Sequence, residues 1–330
     1  MDKVRMGFIG SGNISRSHKE QLKRFADVAM IAHSDVVMPA AKAAAQAYGG
    51  RAYDDYLKMI ETEKLDAVLI ALPPHLHGTI EADCAERGLH MLVEKPVNLY
   101  LEPARRAAAA IGKAGVIASV GYNYRHVKAG HQVRELLRGK PIATAHAVRW
   151  FKLPPKAWWK RYDQGGGQLV EQGTHEVDFL RFVLGEVKTV QARYGYTLLG
   201  KEPETTIPDT QTVTLEFESG ALATLHLFCL MEGLQRGGVE FWGRSLCVKF
   251  DGTDLAIESP EPLAVPELES PLFLDNARAS VDRRFVEAVK TGDRALLSSD
   301  FADAVKSAEV CLAANRSAER GGEPVNLPLA

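Results

Sequence analysis

The chain has 330 residues, 46% hydrophobic and 25% charged, and a formal net charge of −2. That length suits two domains of ordinary size, and the composition is that of a globular protein rather than a disordered one. The small net charge excludes a whole-chain field that would recruit nucleic acid or anionic membrane, and neither is expected as a partner.

Apolar runs such as Ala67 to Leu72 are strand-sized, far short of a membrane span. The start of the sequence lacks a basic segment followed by an apolar one, so no secretory leader is expected. Cys84, Cys229, Cys247 and Cys311 are scattered without a C-x-x-C pair and read as buried thiols in a reducing compartment. The expectation is a soluble, cytoplasmic protein.

The first third alternates short apolar runs with helical stretches. Strands are expected at Val4 to Ile9, 28–32, 67–71, 90–93 and 116–120, and helices around 16–25, 40–48, 53–63, 76–87 and 101–114. Strands alternating with helices imply right-handed βαβ units and a parallel sheet covered on both faces. After Tyr122 the pattern changes to a helix at 128–138 and longer, partly alternating strands at 142–151, 189–197, 210–217, 221–230 and 239–250. Residues 258–271 read as an irregular connection, and helices near 276–291 and 300–320 follow. The expected fold is α/β: a Rossmann dinucleotide-binding domain over 1–123, then an α/β domain over 124–330 built on a large, mostly antiparallel open sheet.

Gly10-Ser-Gly12-Asn13-Ile14-Ser15 follows the first strand and opens the first helix. Gly10 permits the tight turn, and Gly12 lets a pyrophosphate approach backbone N–H groups at the positive end of a helix. A plain strand–helix turn is the competing reading, and Ser15 departs from the usual third Gly or Ala. Asp35 ends the second strand, where an acid hydrogen-bonds both ribose hydroxyls of NAD and repels the 2′-phosphate of NADP. NAD is therefore the expected cofactor, with NADP left open because His33 and Ser34 precede the acid.

Glu94-Lys95-Pro96 lies at the carboxyl end of the fourth strand, the edge where open α/β sheets gather ligands. A lysine there can donate to a substrate oxygen and stabilise negative charge, although a surface lysine would show the same spacing. Gly165 to Gly167 form a flexible lead-in to a helix ending at Gly185, with Glu171, His175 and Asp178 expected on one side of it. A histidine oriented by carboxylates suits removal of a hydroxyl proton near neutral pH. No third ligand of convincing spacing joins Glu171 and His175, so no metal is expected.

Taken together these segments resemble the glucose–fructose oxidoreductase / inositol dehydrogenase (Gfo/Idh/MocA) family. The carriers are the glycine loop with His18, Pro73-Pro-His-Leu-His77, Glu94-Lys-Pro96, Gly121-Tyr-Asn-Tyr-Arg125, Gly165-Gly-Gly with Gly173-Thr-His175 and Asp178, and Ala314 to Gly321. The resemblance implies hydride exchange between NAD(P) and a secondary alcohol or ketone of a sugar, inositol or related polyol. It implies catalytic roles for Lys95 and His175, with Glu171 where many members have Asp. It also places Gly10, Gly12, Asn13, Ile14, Asp35 and Lys95, together with Pro73, His77 and Glu94, at the dinucleotide. Tyr122, Tyr124, Arg125, Trp158, Trp159, Arg161 and Asp178 are expected near substrate, with core packing or oligomer contact competing for the tryptophans. A homodimer or homotetramer through the C-terminal sheet is implied. Three other readings are a keto-sugar reductase, a redox-assisted lyase or glycosidase, and a non-catalytic NAD sensor on the same fold.

Overall fold

The computed structural model describes residues 3–200 and 204–329; the outer limits expected for the domains, at 1 and 330, lie outside the described residues. The chain divides into two compact units. One comprises Met1–Asn98, Glu102–Asn123 and Pro271–Val305, and the other Leu99–Leu101, Tyr124–Ser270 and Lys306–Ala330.

In the first unit the chain runs β1 (Val4–Ile9), α1 (Asn13–Leu22), β2 (Val28–Ser34), α2 (Met38–Tyr48), β3 (Arg51–Tyr53), α3 (Tyr56–Thr62), β4 (Ala67–Ile70), α4 (Ile80–Glu86), β5 (His90–Val93), α5 (Leu101–Ala114) and β6 (Ala118–Val120). Among the described residues the strands form one six-stranded sheet in the order β3-β2-β1-β4-β5-β6, parallel throughout. This is the Rossmann order, and it reverses direction between β1 and β4, so ligands are expected beyond the carboxyl ends of these central strands. Val68, Leu69, Ile70, Met91, Leu92 and Val93 are wholly buried, as a parallel sheet covered on both faces requires. β3 was not expected, and its last residue, Tyr53, overlaps the helix expected over 53–63; it is a three-residue edge strand, too short for a periodic signal.

The second unit follows with α6 (Lys128–Leu137), β7 (Ile142–Trp150), α7 (Tyr162–Gly165), α8 (Thr174–Leu184), β8 (Val187–Gly195), β9 (Thr210–Phe217), β10 (Leu222–Phe228), β11 (Arg236–Gly243), β12 (Leu246–Phe250) and β13 (Leu255–Glu258). α9 (Ala277–Thr291) belongs to the first unit, and α10 (Phe301–Glu319) and β14 (Val325–Asn326) complete the chain. Among the described residues the second sheet has eight strands, ordered β13-β12-β11-β7-β10-β9-β8-β14, and is antiparallel except where β7 meets β10. One sheet face supplies Ala145, Ala147, Val213, Leu215, Ala223 and Leu225 to a core shared with Val177, Phe179 and Leu180 of α8 and Val310, Ala313 and Ala314 of α10. Thr144, His146, Thr212, Thr214 and Thr224 alternate with these on the exposed face.

Two expectations change. The single strand expected at 239–250 is the hairpin β11–β12, turned at Arg244-Ser245, where Ser245 takes a φ of 53°. Continuous apolar alternation across a two-residue turn hid the break. The simple division after residue 123 also misses the return of 271–305 to the first unit. There Val281, Phe285, Val286 and Val289 of α9 pack in one cluster with Val4, Met6 and Phe8 of β1.

Candidate active site

Within the first unit the glycine loop sits at the carboxyl end of β1. Gly10 has a φ of 90°, and a Cβ there would collide with the carbonyl oxygen of Ala71, so only glycine fits the turn. A Cβ on Gly12 would meet nothing within 4 Å. Gly12, Asn13 and Ile14 are exposed, and Gly12 caps α1 with no side-chain hydrogen bond. The first-turn N–H groups of α1, positive by their alignment with the helix dipole, thus lie at an exposed helix end without a side-chain cap. Ser15 is 1% exposed, so a small side chain at this departure from the usual Gly or Ala serves close helix packing.

Asp35 accepts the backbone N–H of Ser11 at 2.8 Å on Oδ2 and that of Val37 at 2.9 Å on Oδ1. Each oxygen retains a further lone pair for a ribose hydroxyl. Behind it His33 stacks on Phe8 with ring centroids 5.1 Å apart, and its Nε2 lies 2.9 Å from the Gly49 carbonyl oxygen. Burial, then the neighbouring Lys19, pushes His33 down to about 4. Lys19 is itself buried over the Phe8 ring at 5.0 Å; burial pulls its ammonium down to about 8 against the attraction of Asp35.

Lys95 is half-buried just beyond β5, and the Lys95–Pro96 peptide bond is cis. Glu94 is buried, and its Oε1 lies 2.8 Å from Nε2 of His18, whose Nδ1 lies 2.5 Å from Oδ1 of Asp282 on α9. Pro73 is half-buried after β4, while His77 is fully buried with Nδ1 2.5 Å from Glu81 Oε1. The side chains of His77 and Glu94, expected at the dinucleotide, are thus committed to buried histidine–carboxylate pairs.

In the second unit Glu171 lies on a π-helical turn, Leu169–Gly173, and His175 on the first turn of α8; both are half-buried. The π turn replaces the uninterrupted α-helix expected there. Gly173 has its reason in packing: a Cβ would collide with the Leu227 side chain of β10. Gly166 and Gly167 hold φ of 72° and 82°, so the lead-in expected to be flexible is a defined left-handed turn. Tyr124 packs on His175 with ring centroids 5.6 Å apart and donates to Glu176 Oε1 at 3.1 Å, while Arg149 donates to the Tyr124 hydroxyl at 3.0 Å. Burial pushes Glu176 up to about 7. Glu176 and Arg149 were not foreseen, being separated along the chain and matching no motif.

Other residues expected near substrate are placed differently. Arg125 and Asp178 are buried against each other, with two hydrogen bonds of 2.7 Å, and Ser307 donates to Asp178 at 2.8 Å. Asp178 therefore anchors α8 and is not presented beside His175. Trp159 is 3% exposed in a cluster with Leu199, Ile207 and Cys229, against which Trp158 packs. Tyr122 is fully buried, and Arg161 is exposed and paired with Asp163 at 3.2 Å. Among the described residues, no group of three or more His, Cys, Asp or Glu side chains is arranged to hold a metal ion. No described helix is long and apolar enough to cross a membrane.

Residues 4–122 match the family described as "Oxidoreductase family, NAD-binding Rossmann fold" (GFO_IDH_MocA), and residues 127–246 match the GFO/IDH/MocA C-terminal domain. The chain is 30% identical to the myo-inositol 2-dehydrogenase of Thermotoga maritima over 227 residues, 67% of each chain. It is 28% identical to the scyllo-inositol 2-dehydrogenase (NAD(+)) of Bacillus subtilis over 226 residues, 66% of this chain and 65% of that one. The matches thus span about two thirds of the length of these curated relatives. In fold the chain is similar to the WlbA dehydrogenase of Bordetella pertussis, solved with NADH and UDP-GlcNAcA, with a TM-score of 0.85, 22% identity, and 99% of this chain and 100% of that chain covered.

Proposed function

Because the chain belongs to the GFO/IDH/MocA family of NAD-binding oxidoreductases, we propose that it is an NAD-dependent dehydrogenase of a secondary alcohol on an inositol, sugar or related polyol. The observation that carries this reading is the sharing of one sheet edge by the glycine loop after β1, Asp35 after β2 and Lys95 after β5. The inositol specificity named for two relatives supports the substrate class.

The N–H groups of Gly12, Asn13 and Ile14, at the exposed start of α1, would hold the pyrophosphate, and Asp35 the adenine ribose. Bound NAD supplies an acceptor for hydride. Lys95 donates a hydrogen bond to the substrate oxygen and stabilises the negative charge that develops there. His175, packed against the Tyr124 ring, takes the hydroxyl proton, with Glu171 on the preceding π turn. The presence of both Lys95 and His175 favours an enzyme over a dinucleotide sensor. A homodimer or homotetramer through the second sheet belongs to the same reading, and four buried cysteines outside any disulfide support a reducing cytoplasm.

The test is a screen of inositols, sugars and sugar acids for NADH formation, with NAD and NADP affinities measured by calorimetry. Oxidation of at least one polyol with NAD preferred supports the reading, and tighter NADP binding overturns the cofactor part of it.

A further inference from the structure

Two side chains from distant parts of the sequence, His18 and Asp282, form a chain inside the first unit that ends on Glu94, the residue before Lys95. His18 of α1 lies between Asp282 of α9, at 2.5 Å, and Glu94, at 2.8 Å, and His18 and Asp282 are at most 1% exposed. Arg278, one turn before Asp282, donates to Ser17 at 2.7 Å and adds its positive charge beside both carboxylates. Gly121, just past β6, leaves the space Glu94 occupies; a Cβ there would meet Glu94 Oε1 at 2.9 Å.

Buried ion pairs contribute little net stability compared with apolar packing of similar volume. A tie between α1 and α9 would need only His18 and Asp282, so the third member, Glu94, calls for another reason. We propose that His18 and Asp282 are positioning residues: they hold the Glu94 carboxylate fixed and ionised at the end of β5, and so set the place from which Lys95 acts. This inference rests on the dehydrogenase reading above.

The electrostatics agree with the geometry. Burial opposes an imidazolium, but the Asp282 and Glu94 carboxylates outweigh it and push His18 up to about 9. Burial alone would raise Glu94; the His18 hydrogen bond and charge, with Lys95 and Arg278, draw it below the usual carboxylate range. Asp282 is pushed up by its own burial against the pull of His18 and Arg278. Loss of Asp282's charge lets His18 deprotonate at lower pH, and Glu94 then loses its cationic partner.

The test compares wild type with Asp282→Asn and His18→Gln in three measurements: the kcat–pH profile on a polyol, NAD affinity by calorimetry, and the His18 titration by NMR. Asp282→Asn keeps the side-chain volume and serves if His18→Gln does not fold. Expected is a kcat loss of about tenfold to hundredfold, the scale of a small misplacement of a reacting group, with NAD affinity held within about twofold. The alkaline limb of the Asp282→Asn profile moves to lower pH, together with the His18 titration. Unchanged kcat and limb in a folded variant overturn the inference while leaving the dehydrogenase reading intact. A wild-type His18 that titrates near its ordinary value also overturns it. A wild type that oxidises no polyol overturns the dehydrogenase reading and the positioning role with it; a raised His18 titration in that inactive protein then shows that the failure lies in the reading and not in the clamp.

Discussion

The carboxylate of Asp35 accepts the backbone N–H of Ser11 at 2.8 Å, so the acid at the end of β2 is tied to the glycine loop after β1. One hydrogen bond thereby sets the spacing between the proposed ribose and pyrophosphate contacts. Asp35→Ser is expected to weaken NAD binding by about tenfold to a hundredfold, the cost of losing hydrogen bonds to a charged group. NADP binding should weaken less or improve, because the repelling charge is gone. Calorimetry with both dinucleotides checks this; equal losses for the two would remove Asp35 from discrimination.

Gly10 makes a second, steric prediction. Its φ of 90° and the collision any Cβ would make with the Ala71 carbonyl leave Gly10→Ala no relaxed solution. The variant should lose dinucleotide binding outright or fold poorly, whereas Gly12→Ala, with open space around its Cβ, should keep the wild-type melting temperature. Parallel thermal melts and NAD titrations distinguish the two.

Arg125→Ala leaves Asp178 buried without its bidentate partner. Removing one member of a buried ion pair costs about 3–5 kcal/mol, so a marked drop in the urea midpoint is expected. A loss of activity with unchanged stability would restore Arg125 to the substrate-facing role that the sequence suggested.

Two histidines of the first unit give stability opposite pH dependences. His33, pushed down to about 4, is buried neutral; unfolding releases it to bind a proton, so its contribution falls as pH drops from about 6.5 toward 4. His18, pushed up to about 9, contributes fully below about 6.5 and loses that contribution as pH rises through about 9. A tenfold change in proton affinity on folding corresponds to about 1.4 kcal/mol. His33→Asn should flatten the acid limb of a melting-temperature profile, and His18→Gln the alkaline limb; an unaltered profile in either would contradict the assignment.

The features legible in the sequence are local ones. The glycine loop, Asp35 and Lys95 each follow a short apolar run, and strand ends in a parallel sheet are where such residues meet ligands. Asp282 was invisible because it lies 264 residues from His18 along the chain. Asp178 read as a neighbour of His175 because helical spacing places both on one side, yet spacing carries no information about Arg125 waiting to bury it. Trp159 likewise satisfies a core cluster whose other members, Leu199, Ile207 and Cys229, come from later in the chain. The π turn at Glu171 is a backbone choice that no residue type in Leu169–Gly173 announces.

The most direct test of the central claim is NADH formation by wild type and Lys95→Ala across a panel of inositols and sugars, with NAD affinity measured on both. Wild type is expected to oxidise at least one polyol. Lys95→Ala should lose about a hundredfold or more in kcat, the scale set by removing a donor to a developing oxyanion, while binding NAD normally. A Lys95→Ala protein that turns over like wild type would contradict the role given to this lysine.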